Sequence, residues 1–212
     1  MLYGAIRIAL CLAALILFLV WHKKRGKPWT KRKMLAWIAV FLLTVTVSGY
    51  VPAENLFLSF STPEDSFAYT NVEAILGIAE GRGSCLICYK TDSDSYARCV
   101  IPKAENRYKV STPLTFETVY SEMYLGEDTL DNAHLSVTRA KNTEDYYVTV
   151  QALIFGDTEF SVQDSSGTVF QQETLSVNAE YGCRTILVYA FVGAIREGYY
   201  VQIQDEKFPI PL

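Results

Sequence analysis

Histidine is almost missing from this chain: among 212 residues there are two, His22 and His134. Metal sites built from imidazole and thiolate need several ligands at set spacings. Those spacings are absent, so no metal and no cofactor is expected. A glycine-rich phosphate loop, a GxSxG elbow and an HExxH helix are missing too, which removes the commonest nucleotide-binding, serine-hydrolase and zinc-protease readings. Acidic residues are missing altogether from the first 52 positions, where eight Lys and Arg stand. The remainder holds 19 − 8 = 11 Lys and Arg against all 23 Asp and Glu, a net charge of 11 − 23 = −12. Such a surface argues against nucleic acid as a partner, since phosphates must be neutralised by cations. It also stands off anionic lipid headgroups. The region spans 212 − 52 = 160 residues, enough for one cored domain or two small ones.

Charge is equally sparse in two apolar runs. Residues 2–21 are interrupted only by Arg7, and residues 34–51 carry no charge. At about 1.5 Å per residue, such runs approach the roughly 30 Å of a bilayer's hydrocarbon core. Neither has the polar face that a helix in water needs. A transmembrane helical hairpin over residues 1–53 is therefore expected. Its connecting loop, 22–33, holds Lys23, Lys24, Arg25, Lys27, Lys31, Arg32 and Lys33 and no acid, which by the positive-inside rule keeps it in the cytoplasm. Both termini and residues 54–212 then lie outside the cell membrane. Tyr3 and Tyr50 fall at the outer interface and Trp21 and Trp37 near the inner one, where amphipathic rings settle. Arg7 reads as an anchor that snorkels to water. Ala5, Ala9 and Ala13, with Ala36, Val40, Thr44 and Ser48, form small-residue stripes along which the helices pack on each other or on a partner protein. The stretch from Lys31 to Ala53 also has the layout of a signal peptide cleaved after Ala53. The length of its apolar part and the helix before it favour a retained span.

Beyond the hairpin, Thr62, Pro63, Glu64 and Asp65 mark a short helix start. Strand signals follow at 72–79, 84–91, 96–102 and 107–111, a four-stranded meander with turns at 81–83 and 92–95. Residues 116–125 fit a helical stripe through Phe116, Val119, Tyr120, Met123 and Tyr124, but the β context and the Thr and Tyr content favour a strand. Val148, Val150, Ala152 and Ile154 alternate with Thr149 and Gln151. The segments 158–163 and 168–173 flank Asp164-Ser165-Ser166-Gly167 as an expected hairpin. Residues 185–192, apolar on both faces, suit a central strand, and 199–204 a half-buried one. About ten short strands predict a mainly-β domain, either sandwich-like or two stacked small antiparallel sheets, with a possible sub-boundary near 112–115.

Several of these segments carry a resemblance. Phe60-Ser61-Thr62-Pro63-Glu64-Asp65-Ser66-Phe67-Ala68-Tyr69, Ser84-Cys85-Leu86-Ile87-Cys88-Tyr89, Asp145-Tyr146-Tyr147-Val148 and Glu206-Lys207-Phe208-Pro209-Ile210 resemble small membrane-anchored extracytoplasmic proteins of Gram-positive bacteria. That group has no assigned activity. The resemblance implies a basic, membrane-spanning N-terminus before a β-rich outer domain; the second span departs from the usual single one.

Five cysteines remain to be placed. Cys11 lies in the first apolar run. Cys85 and Cys88 have CxxC spacing, but a redox CxxC works from a helix N-terminus, and a strand sends the two side chains to opposite faces. A hairpin turning between Ser93 and Asp94 pairs positions that sum to 187, which sets Cys88 against Cys99 and predicts a disulfide, with Cys85 and Cys183 left as a second pair. Two buried thiols are the alternative. His134 reads as an exposed loop residue, and a Cys183–His134 nucleophile pair has no local mark. Glu127, Asp128 and Asp131 lack the alternating pattern of a calcium loop and read as solvated. Fourteen tyrosines fill the core or form a binding face for protein or glycan. No catalytic residue is identified. The expected function is a non-enzymatic binding module with a protein or cell-wall partner. The alternatives are a membrane-tethered hydrolase or thiol enzyme, and an accessory subunit of a membrane complex.

Overall fold

The computed structural model describes residues 2–24, 30–50, 52–92, 95–126 and 130–211. Arg25, Lys27, Val51, Ser93, Asp94, Glu127 and Asp128 lie outside the described residues, as do the side chains of Tyr3, Ala5, Arg7, Lys33, Ser48, Tyr50, Ala53 and Asp131. Both apolar runs are helical, as α1 (Leu2–Lys24) and α2 (Lys31–Tyr50). They meet where the rings of Phe18 and Trp37 stack with centroids 4.0 Å apart. Among the described residues, no helix is long and apolar enough to cross a membrane.

The β-formers after residue 72 produce the meander expected of them: β1 (Ile75–Glu80), β2 (Ser84–Lys90), β3 (Tyr96–Ala104) and β4 (Arg107–Tyr108) form one antiparallel sheet in that order. Glu105 and Asn106 both take positive φ, 51° and 58°, the pair that a two-residue hairpin matching strand twist requires. The short helix α3 (Pro63–Thr70) begins where Thr62 Oγ1 accepts the Asp65 N–H at 3.2 Å. It lays Phe67 on Cys85, Ile87, Ile101 and Tyr108, covering the outer face of this sheet.

A second, five-stranded sheet has the order β5-β6-β7-β10-β9, from β5 (Phe116–Leu125), β6 (Leu130–Ala140), β7 (Tyr146–Phe155), β9 (Gln171–Asn178) and β10 (Cys183–Gly193). Residues 116–125 are thus a strand. A third sheet joins β12 (Glu206–Pro209), β11 (Tyr200–Ile203) and β8 (Val162–Asp164). The five-stranded sheet is the middle layer and is apolar on both sides. Toward the first sheet, Tyr147, Leu187 and Tyr189 pack on Ala79, Leu86, Cys88 and Val100. Toward the third, Leu135, Val148, Val150 and Ile186 pack on Val201, Ile203 and Phe208. The stack is therefore mainly β, with three antiparallel sheets where two were expected.

Two details of the reading are corrected. The segments 158–163 and 168–173 do not form a hairpin: β8 pairs with β11 and β9 with β10. The turn between them carries the chain from one sheet to the other. Asp164 organises it, Oδ1 accepting the N–H groups of Ser166 (3.1 Å) and Thr168 (2.8 Å), Oδ2 the hydroxyls of Thr168 (2.6 Å) and Tyr199 (2.9 Å). Burial works to raise the Asp164 pKa, but those four donors outweigh it and hold the carboxyl below its ordinary value. The second correction concerns His134, which lies within strand β6 and not in the expected loop. On that strand Ala133, Leu135 and Val137 face the third sheet, while Asn132, His134, Ser136 and Thr138 face the other way.

Candidate functional site

Register places the chemistry. In the face of the middle sheet that looks toward the first sheet, Ser136 of β6 lies level with Thr149 of β7 and Tyr189 of β10. Going along the strands away from the β6–β7 turn, the next row is Met123, His134, Gln151 and Leu187, and the next Leu125, Asn132, Leu153, Thr185 and Ser176. Phe155, Cys183 and Asn178 make the tip. The first sheet covers the rows from Tyr147 to Leu187, and the outermost rows lie beyond it. Their opposite side remains sealed, with Ala133, Ala152 and Ile154 buried under the third sheet.

The result is a half-covered sheet face. Asn132, Gln151, Leu153, Ser176, Asn178, Cys183 and Thr185 line a recess of about 500 Å³ on it. Met123 and Leu125 are 64% and 75% exposed on one flank, and Phe155 and Tyr181 are exposed at the tip. Amides and hydroxyls that hydrogen-bond without net charge, set among accessible apolar side chains, are the make-up of a recognition surface.

The border of the covered part is held by Arg98. Its guanidinium donates to Ser136 Oγ (2.6 Å), Thr149 Oγ1 (3.1 Å), Thr118 Oγ1 (3.3 Å) and Tyr96 Oη (3.5 Å), tying β3 to three strands of the middle sheet. All four acceptors are neutral. Next to it, Ser121 Oγ and His134 Nε2 are 2.9 Å apart. Burial, then the Arg98 charge, holds the His134 pKa below its ordinary value, so the ring is neutral at pH 7. A serine–histidine contact is the nucleophile–base pair of covalent catalysis, and among the described residues no carboxylate orients the ring as a third member.

At the opposite end, Asp145 clamps the sheets together. It accepts the N–H groups of Arg82 (3.3 Å) and Gly83 (2.7 Å) and the Ser84 hydroxyl (2.7 Å), which in turn meets Tyr147 Oη at 2.7 Å. Gly81 is glycine for want of space: a Cβ there would strike the Tyr147 hydroxyl and lie 2.7 Å from Asp145 Oδ2.

The cysteine expectations divide. Cys85 and Cys88 do sit on a strand and face opposite ways, Cys85 under α3 and Cys88 between the sheets. Burial pushes the Cys85 thiol well up, and Cys88 and Cys99 up to about 12, so none is a thiolate at neutral pH. The Cys88–Cys99 bond is corrected. Cys88 pairs with Arg98 and Cys99 with Ile87, a register sum of 186, and that single step sends the two thiols to opposite faces. Cys183 lies across from Phe155 and Asn178 in the middle sheet, in a different sheet from Cys85. All five cysteines are free. Cys183 and His134 share a face but stand four residues apart along it, Cys183 level with Phe155 and His134 with Gln151. Among the described residues no three metal-ligating side chains converge. Ser121, Gln151 and Arg98 were not singled out as site residues from sequence; the alternation of Asn132, His134, Ser136 and Thr138 with Ala133, Leu135 and Val137 was the available signal. Comparison with known proteins finds no matching family model, no matching curated protein and no matching solved structure.

Proposed function

We propose that the chain is an integral membrane protein whose acidic β domain lies outside the cell and binds a macromolecular partner without catalysing a reaction. The observation that carries the binding function is the half-covered middle sheet: one side of its tip is sealed by a core, while the other presents amides, hydroxyls and exposed Met123 and Leu125. Cys183 stands four residues along the sheet from His134, which does not favour the thiol-enzyme alternative.

The anchor rests on separate support. Ile8, Ile16, Leu17, Leu35, Leu42 and Leu43 point outward from α1 and α2 and are exposed, an arrangement that water penalises and lipid accepts. Thr44 and Thr46 donate to the carbonyls of Val40 and Leu42 at 2.9 Å each, which satisfies both hydroxyls within the helix, as a hydrocarbon surrounding requires. Lys23 and Lys24 close α1 and Lys31 and Arg32 open α2, so the cationic loop stays cytoplasmic.

The test uses cells carrying the full chain with a C-terminal epitope. Alkaline carbonate should leave the chain in the membrane pellet, and protease added to intact cells should remove the epitope. Release by carbonate, or an epitope that survives, overturns the arrangement.

A further inference from the structure

We infer that Arg98, Thr118, Ser121 and His134 form a binding site for a carboxylate group at the border of the half-covered sheet face. The inference rests on these four side chains, and it holds or fails apart from the binding function proposed above.

A cation drawn between two sheets is costly unless an opposite charge meets it. Arg98 is half-buried, and every acceptor of its guanidinium is a neutral hydroxyl. Among the described residues Arg98 has no ion pair; that of Lys103 with Glu80 lies on the other face of β3. Register explains the shortage. On the face of β1, β2 and β3 that carries Arg98, the other charge is Lys90, level with Tyr96. Among the described residues of the middle sheet that look toward it, the acid is Glu173 on β9, level with Leu187. It stands three strands from Ser136, roughly 14 Å across the sheet, beyond the reach of screened attraction. Glu117, Glu122 and Arg139 share the strands of the site, but alternation turns them to the other face.

The free donors face the place where an anion fits. Nη2 of Arg98 reaches the surface beside Thr118, whose Oγ1 accepts at 3.3 Å and keeps its own proton to give. The Nε–H of Arg98 has no acceptor among the described residues. Ser121 is level with Ser136, and His134 follows in the next row with its Nε2 on the Ser121 hydroxyl. An oxygen held there takes charge-assisted bonds from the guanidinium and a proton from Thr118. The number of charges selects the group. Beyond residue 52, 11 Lys and Arg stand against 23 Asp and Glu, so one negative charge offsets Arg98 while a phosphate dianion adds repulsion. His134 reports occupancy. Burial and the Arg98 charge hold its pKa down, and an anion beside both raises it again.

The experiment follows the histidine ring resonances of the full chain in detergent micelles, with His22→Gln leaving His134 as the one histidine. Formate, a carboxylate that stays ionised across the His134 titration, replaces chloride at equal ionic strength. The expected result is a saturable shift of the His134 signals and a higher titration midpoint, by up to about tenfold in proton affinity. Inorganic phosphate should bind more weakly than formate. Arg98→Gln should abolish the response. Thr118 is exposed and valine suits a strand, so Thr118→Val keeps the fold and should weaken formate binding severalfold. A peptide with blocked ends and a single Glu distinguishes the source: binding tighter than formate places the carboxylate on a polypeptide, and binding no tighter assigns a free acid. A His134 that titrates alike in formate and chloride, formate binding unchanged by Thr118→Val, or a preference for phosphate overturns the inference.

Discussion

Cys88 faces Arg98 across the β2–β3 ladder, with Cys99 one step on and pointing into the other layer. The two sulfurs cannot meet without a one-residue slip of the hairpin, and that slip would move Leu86 and Val100 out of the inter-sheet core. Denatured without reductant and alkylated, the chain should carry five modified thiols, and reductant should leave its melting temperature unchanged. A count of three would contradict the register. In the native state, Cys85, Cys88 and Cys99 should react slowly, because burial keeps them protonated.

The Asp145 clamp fixes one end of the stack. Asp145 is 3% exposed and its carboxylate takes three hydrogen bonds from the β1–β2 turn, so Asp145→Ala leaves the Gly83 N–H without its acceptor and the Ser84 hydroxyl with Tyr147 alone. A loss of about 3 kcal/mol is expected in chemical denaturation of the chain in detergent micelles. Gly81→Ala should cost about 2 kcal/mol by forcing Tyr147 and Asp145 aside. Should both variants unfold at the wild-type denaturant concentration, the clamp contributes nothing.

How much of this was legible in the sequence depended on which signal set each element. The meander of β1 to β4 was readable, because Gly81-Arg82-Gly83 and the β-formers around it are local. The 116–125 strand was readable only with help from its neighbours, since Val119, Tyr120 and Met123 fit a helix as well. Register was not readable: one residue in the 91–95 turn decides whether Cys88 meets Cys99 or Arg98, and no side-chain pattern fixes it. The break at Asp164 was hidden because Asp-Ser-Ser-Gly reads as a hairpin turn wherever it stands, and only Tyr199, 35 residues on, gives the Asp164 carboxylate a partner in another sheet. The tip patch was illegible for a related reason. Met123, Asn132 and Leu153 become neighbours only once β5, β6 and β7 are paired.

Asp164 gives the stack an acid limit. Its folded pKa is held below the usual 3.8 while the unfolded chain keeps the ordinary value. The carboxylate's contribution is thus complete above about pH 4. As pH falls from there through the folded value, the unfolded chain takes up the proton first and stability is lost. Asp164→Asn should be less stable than wild type at pH 7, and the gap should narrow as pH falls below about 4. A constant gap from pH 7 to pH 2 would show that the carboxylate charge is not what Thr168 and Tyr199 stabilise.

Thr138 tests the polar seam between the sheets from the other direction. Its side chain is fully buried, and its Oγ1 has no hydrogen-bond partner, although Arg98 serves the hydroxyls of Ser136, Thr149 and Thr118 close by. A buried hydroxyl left unpaired costs about 1 to 3 kcal/mol, and valine has nearly the same shape without that cost. Thr138→Val should therefore raise stability by about 1 kcal/mol, a rare gain from a core substitution. Thr138→Ser keeps the hydroxyl, removes a methyl group and should lower stability by a similar amount. The two changes differ in sign only if the hydroxyl is unpaired. A Thr138→Val chain that melts well below wild type would mean that Oγ1 is bonded.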